Sequence, residues 1–142
     1  PPGVVHRDIS PSYTQHAVLT LAMVPQRIVW RDSTGDPTGV RAVAYYTIAN
    51  RGDTQLYFVF TTPEILCISV TRAGASNAHW RDAWRPRERA EPWLRVQMGT
   101  VVRYLFTLPE AAAPQPGRYT VRVSLCGASD YEMEADFEVI GR

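Results

Sequence analysis

The chain has 142 residues, of which 45% are hydrophobic and 20% are charged, and its formal net charge is +1. This composition is that of an ordinary globular protein and excludes a disordered chain, which would combine low hydrophobicity with a high net charge. The near-zero charge also excludes a global basic field that would attract nucleic acid or an anionic membrane.

The N-terminal residues carry neither a strand pattern nor a targeting pattern. The start "PPGVVHRDIS" has no initiator Met and no hydrophobic signal core. No run in the chain approaches the roughly 20 apolar residues needed to cross a bilayer. We therefore expect a processed or truncated chain without membrane insertion. We predict a single domain over residues 1–142 with an irregular N-terminal arm over residues 1–16.

An alternation of period two begins after this arm and indicates strands. In "HAVLTLAMV", residues 16–24, Leu19 and Leu21 share one face. Pro25 interrupts the alternation, and "RIVW", residues 27–30, then fits a short edge strand because Pro cannot donate to a strand ladder. The segment "RDSTGDPTG", residues 31–39, is rich in turn-forming residues.

The next two alternating segments are separated by a short turn. "VRAVAYYTIAN" covers residues 40–50, and "TQLYFVF" covers residues 54–60. The connection "NRGD", residues 50–53, is short enough for a tight turn. We therefore predict that these two strands form a hairpin.

Five further strand candidates follow, and their apolar positions alternate with polar ones. They are "EILCISVTR", "WLRVQ", "TVVRYLFTL", "GRYTVRVSLC" and "YEMEADFEVI", with the Pro-rich loop "PEAAAPQPG" before the fourth. The acidic residues of the last candidate have the pattern of a solvated strand face. No amphipathic helix of about ten residues or more interrupts the series. The prediction is an all-β fold, an immunoglobulin-like two-sheet antiparallel β-sandwich of seven to nine strands.

No catalytic or metal-binding pattern accompanies these strands. His6, His16 and His79 have no Cys or carboxylate neighbour at metal-ligand spacing. The chain also has no Gly-rich phosphate loop and no nucleophile elbow. We therefore predict no metal, no cofactor and no enzymatic activity.

The two cysteines face away from the apolar sides of their strands. Cys67 lies between Leu66 and Ile68, so its side chain points to the opposite face of the strand from theirs. Cys126 follows Leu125 and likewise points to the opposite face from it. One interpretation is a Cys67–Cys126 disulfide on the outer face of a sheet, which requires Cα atoms within about 7 Å of each other. The other is a pair of unpaired thiols near strand ends, which a reducing compartment would favour.

The stretch "HWRDAWRPRERAEPW", residues 79–93, concentrates Trp and Arg, two residue types that are enriched at interface hot spots. As a partner-binding loop, it would be stiffened by Pro86 and Pro92. The candidate binding residues are Trp80, Arg81, Trp84, Arg85, Arg87, Arg89 and Trp93. Four arginines against three acids, Asp82, Glu88 and Glu91, are too weak a charge for nucleic-acid binding.

The same stretch also fits a structural role. Trp80 and Trp84 are four residues apart, the spacing of one helical turn, and could cap the sandwich while the arginines pair with the three acids. We favour this role because three solvated indoles would promote aggregation. One anchored loop can also perform both roles.

About half of the chain, from residue 50 to residue 125, resembles the intracellular proteinase inhibitor family, which is related to the Bacillus inhibitor of intracellular serine protease. The order of Asn50 with its turn, Phe58, Phe60 and Thr61, and Trp80 with Arg81 matches the family pattern, as do "VQMGTVVRYLFTL" and "PGRYTVRVSL". The chain departs from the pattern at residues 63–65, "PEI", where the family has an aromatic residue and Asp. It also has "WRDAW" in place of Trp-Arg-Trp.

The resemblance implies a serine protease as the partner and a cytoplasmic location. If residues 79–93 form an inhibitory loop, we expect Arg87 or Arg89 to enter an acidic specificity pocket of that protease. More generally, we predict a non-enzymatic protein-binding domain. The alternative is a structural or adhesive immunoglobulin-like module of an exported or envelope assembly, which would make its contacts through strand edges such as "RIVW". Export would apply if a signal peptide had been removed, and the sequence leaves the oligomeric state open.

Overall fold

A computed structural model of the protein describes residues 4–30, 42–85 and 91–141. In chain order, the strands are β1 (Val4–Ser12), β2 (Gln15–Val24), β3 (Arg27–Val29), β4 (Ala42–Asn50), β5 (Leu56–Val59), β6 (Leu66–Arg72), β7 (Trp80–Trp84), β8 (Trp93–Val96), β9 (Val101–Leu108), β10 (Gly117–Leu125) and β11 (Ala128–Gly141). A short 3-10 helix, Glu110–Ala112, lies between β9 and β10. The described ranges contain no α-helix.

The strands form three sheets. The four-stranded sheet has the order β1-β2-β4-β9, the five-stranded sheet has the order β3-β11-β10-β6-β7, and β5 and β8 form a two-stranded sheet. The predicted all-β sandwich is confirmed. The described part of the chain has eleven strands, more than the seven to nine predicted, because the N-terminal residues and the Trp-rich segment form strands as well.

The core lies between the two large sheets and contains the apolar residues that the alternation places on one face of each strand. From the four-stranded sheet, Leu19, Leu21, Tyr46 and Ile48 are fully buried. From the five-stranded sheet, the buried residues include Leu66, Ile68, Val70, Tyr119, Val121, Val123, Leu125, Tyr131, Met133, Ala135, Phe137 and Val139. Burial of one large side chain of this kind contributes about 1.5–3 kcal/mol.

Residues 4–16 do not form the predicted irregular arm, and residues 1–3 lie outside the described ranges. β1 pairs antiparallel with β2 over most of its length. It is held over the second sheet as well, because Ile9 is buried and the Arg7 guanidinium donates a 2.7 Å hydrogen bond to the carbonyl of Glu132. Residues 4–12 are therefore part of the sandwich.

The segment "RIVW" lies at a sheet edge, as predicted, in the sheet opposite β2. After the cis peptide bond between Val24 and Pro25, β3 joins the five-stranded sheet and pairs parallel with β11. The sandwich therefore contains one parallel pair, whereas the other strand pairs in the described ranges are antiparallel. The predicted turn over residues 31–39 lies outside the described residues.

The predicted hairpin of β4 and β5 is wrong. β4 pairs with β2 and β9, and β5 pairs with β8. The turn after Asn50 bonds to the start of β2 and to the β1–β2 turn: Arg51 N donates to His16 O at 2.8 Å, and Asp53 N donates to Thr14 O at 3.1 Å. A Cβ atom on Gly52 would lie 2.6 Å from His16 N, so this close approach requires glycine. The turn thus carries the chain out of the sheet.

Asn50 joins this turn to the two-stranded sheet. It is fully buried, and its side-chain amide donates to the carbonyls of Thr54 at 2.9 Å and Val96 at 2.8 Å. Its side-chain oxygen accepts a hydrogen bond from Gly52 N at 3.0 Å. Three backbone groups from two chain segments are therefore satisfied by one side chain.

We predict that Asn50→Ala lowers the free energy of unfolding by roughly 2–4 kcal/mol, because the two carbonyls and the Gly52 N–H lose their partner. Asn50→Asp should be at least as destabilising, because a carboxylate would face two carbonyl oxygens. Urea unfolding followed by tryptophan fluorescence measures both changes, with the exposed Asn77→Ala as the control. A loss equal to that of Asn77→Ala would contradict the assigned role.

The buried hydroxyl of Tyr46 makes the stability of the fold sensitive to alkaline pH. Tyr46 is fully buried, and its hydroxyl donates to the carbonyl of Tyr131 at 2.5 Å. Burial raises the pKa of Tyr46 well above its ordinary value, and burial also raises the pKa of Tyr104 to about 12. Because the folded pKa exceeds the unfolded value of about 10, stability present below that pH is lost as the pH rises toward the folded pKa.

Tyr46→Phe should therefore be less stable near neutral pH by about 1 kcal/mol, the contribution of one hydrogen bond, yet lose less further stability above about pH 10. Unfolding free energies near neutral pH and at about pH 10.5 test this difference. The control is Tyr13→Phe, since Tyr13 is fully exposed. Equal alkaline losses in Tyr46→Phe and the unmodified chain would refute the prediction.

Candidate binding site

Trp80 and Trp84 anchor the Trp-rich segment to the core. They begin and end β7, which pairs with β6 at the edge of the five-stranded sheet. Both indoles are half-buried against the core cluster, and the ring of Trp84 meets the ring of Tyr104 edge-on at 5.4 Å. The predicted helical turn is wrong, but the structural role expected of these two residues agrees with their packing.

The arginines beside these tryptophans face solvent. Arg81 and Arg85 are exposed, and no ion pair joins either of them to Asp82 or Glu91. The Asp82 carboxylate instead accepts a 2.8 Å hydrogen bond from Ala83 N. The other predicted members of the ion-pair set, Arg87, Arg89 and Glu88, lie outside the described residues.

Arg85 contributes to the electrostatics of one nearby carboxyl group. The pKa of Glu64 lies below its ordinary value, mainly because of a hydrogen bond from the Thr62 side chain and in smaller part because of the Arg85 charge. Both groups are at the surface, so this interaction has little effect on stability.

Trp93 lies in a different environment, on the two-stranded sheet of β5 and β8. The inner residues of this sheet, Leu56 and Val96, are buried in the core cluster. The outer face carries Tyr57, Val59, Trp93 and Arg95, which we call the aromatic–arginine patch. The first three are 47%, 66% and 39% exposed, respectively. Tyr57 pairs with Arg95 in the register, and Val59 pairs with Trp93.

Arg95 connects the two rings of the aromatic–arginine patch. Its guanidinium carbon lies 4.8 Å from the centre of the Trp93 ring and 5.2 Å from the centre of the Tyr57 ring. The two ring centres are 6.5 Å apart. Each exposed cation–π contact contributes about 0.5–1 kcal/mol. Arg95 is thereby held in place, and it has no ion-pair partner among the residues described here.

The backbone edge of β5 is also open beside the patch. Phe60 N donates to Pro92 O at 2.8 Å. Because antiparallel hydrogen bonds alternate, Tyr57 and Val59 direct their backbone groups away from β8. In the part of the chain that the structure describes, no strand pairs with β5 on that side. An edge of this kind can accept an extended segment of a partner.

Sequence reasoning found Trp93 but missed Tyr57, Val59 and Arg95. A usable signal was present in "LYFVF", residues 56–60, which is apolar at both parities. A strand with one buried face should alternate apolar and polar residues, so apolar residues at both parities indicate a second covered or functional face. Arg95 had no comparable signal, because its role depends on the pairing of β8 with β5.

The structure contains a disulfide between Cys67 and Cys126, which is one of the two alternatives that the sequence left open. Their Cα atoms are 5.1 Å apart. Cys67 is exposed on the outer face of β6, and Cys126 directly follows β10. The bond therefore fixes the start of β6, the strand that pairs with both β10 and β7.

The three histidines make ordinary polar contacts. The ring of His6 lies 3.2 Å from the Thr20 hydroxyl, and the ring of His16 lies 3.2 Å from the Asp8 carboxylate. A ring nitrogen of His79 lies 2.6 Å from the carbonyl of Ala112. The described ranges contain no group of three or more His, Cys, Asp or Glu side chains that could hold a metal ion. They also contain no helix with the length and apolarity that a membrane span requires.

Solved structures with a similar fold include three of β-glucosidases. A β-glucosidase from Listeria innocua in complex with isofagomine has a TM-score of 0.53 and 17% identity, covering 94% of this chain and 17% of that chain. The same enzyme in complex with glucose has a TM-score of 0.50 and 18% identity, with the same coverage. A β-glucosidase from Erythrobacter marinus has a TM-score of 0.51 and 14% identity, covering 89% of this chain and 16% of that chain.

This chain therefore spans about one sixth of the length of these enzymes. At such identities, the likeness concerns the fold alone. Neither a family model nor a curated protein matches the sequence.

We predict that replacing both cysteines, Cys67→Ser with Cys126→Ser, lowers the free energy of unfolding by about 2–4 kcal/mol while the β-sandwich is retained, because the cross-link restricts the unfolded chain. Urea unfolding with and without a reductant measures the effect. The reductant should destabilise the unmodified chain by a similar amount and leave the double variant unchanged. An unmodified chain that is insensitive to full reduction would contradict the prediction.

Proposed function

We propose that the chain is a non-enzymatic protein-binding domain that binds its partner through the aromatic–arginine patch of β5 and β8. The observation that carries the proposal is the exposed stack of Arg95 on Trp93 and Tyr57. Trp, Tyr and Arg are the residue types most enriched among side chains that dominate binding energy. In this patch, the three types are next to one another on one surface.

The aromatic–arginine patch is also preorganised for binding. Tyr57 and Trp93 lie on hydrogen-bonded strands whose inner residues are buried, so little conformational freedom remains to be lost on association. Within the described ranges, no carboxylate forms an ion pair with Arg95. Its guanidinium donors can therefore bind a carboxylate or carbonyl group of a partner. These features favour a protein partner with an acidic or carbonyl-rich surface.

Serine proteinase inhibition is the specific form that we propose. It is supported by the resemblance of residues 50–125 to the intracellular proteinase inhibitor family. An inhibitor must present a segment that is held at both ends. In the sequence, residues 85–92 lie between β7, which Trp84 anchors to the core, and β8, which carries the patch. In this segment, Arg87 and Arg89 are the proposed side chains for an acidic specificity pocket.

The alternative is a structural or adhesive immunoglobulin-like module. Two observations favour it. The Tyr119 hydroxyl donates to the carbonyl of Gln115 at 2.7 Å, an arrangement typical of immunoglobulin-like sandwiches. The similar structures contain this fold as a small share of a much longer chain. In this alternative, strand edges such as β3 make the contacts, and the patch is dispensable.

The test is the residual activity of subtilisin-like and trypsin-like serine proteases titrated with the purified protein. We expect stoichiometric inhibition. Trp93→Ala should raise the inhibition constant by roughly 30-fold or more, the loss expected for a hot-spot residue. Arg95→Ala should raise it by about 10-fold. Arg87→Ala or Arg89→Ala should abolish inhibition of the trypsin-like enzymes. The exposed residues Tyr13 and Arg118 supply matched controls, Tyr13→Ala and Arg118→Ala.

Two results would count against the proposal. No inhibition across the panel would overturn the inhibitor form. A photo-crosslinking residue at position 57 that captures no more protein from an extract of the source cells than one at position 13 would overturn protein binding through the patch. Both variants replace an exposed tyrosine, so their folding can be matched by circular dichroism.

A further inference from the structure

The outer faces of the two large sheets differ in chemistry. The outer face of the five-stranded sheet carries several ion pairs. Arg122 contacts Glu132 at 3.3 Å and also contacts Glu134, and Arg27 contacts Glu138 at 3.2 Å. This is the chemistry of a face in contact with water. The outer face of the four-stranded sheet, in contrast, is mainly apolar.

The register of the four-stranded sheet shows how its outer residues are arranged. One row of side chains, which we call the apolar line, runs across the four strands, because each residue pairs with the next on the neighbouring strand. From β1 to β9, the row consists of Val4, Ala22, Tyr45 and Leu105. Leu105 is 47% exposed. Val24 and Val101, on the same face, are 51% and 50% exposed. An apolar line across the whole sheet is unusual for a face in contact with water and indicates an interaction surface.

Charged groups on this face lie at its two opposite edges. The line next to the apolar one runs from His6 on β1 to Arg103 on β9. Asp8 lies one line further along β1, on the same face as His6. Its carboxylate is 3.2 Å from the His16 ring, and its side chain is 75% exposed. Arg103 is exposed and has no ion-pair partner within residues 4–30, 42–85 and 91–141.

We propose that a second copy of this chain covers this face, with the two four-stranded sheets packed face to face about a two-fold axis that runs along the strands. A rotation about this axis places β1 of one copy over β9 of the other. The apolar line of one copy then meets the apolar line of its partner. Such an interface is self-complementary, as a two-fold symmetric dimer requires.

The same rotation brings opposite charges together. Arg103 of each copy faces the β1 edge of the other copy at the level of His6. Asp8 is two residues further along the strand, about 7 Å away, which is within reach of an arginine side chain. Two equivalent Arg103–Asp8 pairs therefore form, one at each edge of the interface. This charge complementarity favours a second copy over an unrelated partner.

The proposal does not rest on the proposed function, because it involves no residue of the aromatic–arginine patch. Its first test is the mass in solution, measured by sedimentation equilibrium over a range of protein concentrations. We expect a concentration-dependent dimer. Leu105→Glu should weaken the dimer by about 100-fold or more, because it buries two unpaired carboxylates. The matched control is Ile140→Glu, since Ile140 is 44% exposed on β11 of the opposite sheet.

A charge exchange tests the orientation of the two copies. Asp8→Arg and Arg103→Asp should each weaken the dimer by about 10-fold, because each places like charges opposite one another. The double variant restores both pairs and should return to within about threefold of the unmodified chain. If Leu105→Glu does not fold, Val101→Glu probes the same face.

Three outcomes would overturn the proposal. The first is a monomer at every concentration up to about 200 μM, which would correspond to an interface weaker than most specific ones. The second is equal weakening by Ile140→Glu and Leu105→Glu. The third is a double charge variant that is weaker than both single variants, which would exclude the strand-parallel axis.

Discussion

The position of the candidate site depends on the hydrogen bonds of one buried amide, Asn50. Asn50 is the one buried polar residue among those that the structure describes. Its side chain bonds to the turn that leads to β5 and to the last residue of β8, while its backbone bonds to the turn between β8 and β9. Both strands of the two-stranded sheet are thus fixed to the end of β4. Without these bonds, the turn that precedes β5 would have buried carbonyl groups without partners, and the orientation of the patch would not be determined.

Alternation predicted the faces of strands well and their partners poorly. The buried sides of β2, β4, β6, β10 and β11 agree with the apolar parity in the sequence, because a side chain's face depends only on its own strand. Pairing depends on contacts between distant segments. The β4–β5 hairpin failed because the bonds of Asn50 and the turn at Gly52 are made to other parts of the chain. The Trp80–Trp84 spacing was ambiguous for a related reason: residues four apart share a face in a helix and in a strand alike.

The candidate site was predicted less completely than the fold. Seven residues of the Trp-rich stretch were candidates for partner binding, and of these Trp93 lies in the patch. Trp80 and Trp84 instead pack against the core. Arg81 and Arg85 are exposed beside them. Arg87 and Arg89 lie outside the described residues. Composition drew attention to the right segment because Trp and Arg are abundant there. It could not separate an indole that packs inward from one that packs outward, since this requires knowing that Trp93 pairs with Val59 in another sheet.

The two proposed surfaces are made from different parts of the sandwich, and this separation has a physical consequence. The aromatic–arginine patch belongs to the two-stranded sheet, whereas the apolar line runs across the four-stranded sheet. A dimer formed through the four-stranded sheets carries two patches related by the two-fold axis. When a partner also presents two sites at a matching separation, the second contact becomes intramolecular and gains a high effective concentration. The patch has four residues, whereas a stable protein interface uses about 20–30 residues on each side. Duplication of the patch by the two-fold axis therefore offers a way to strengthen binding without enlarging the patch itself.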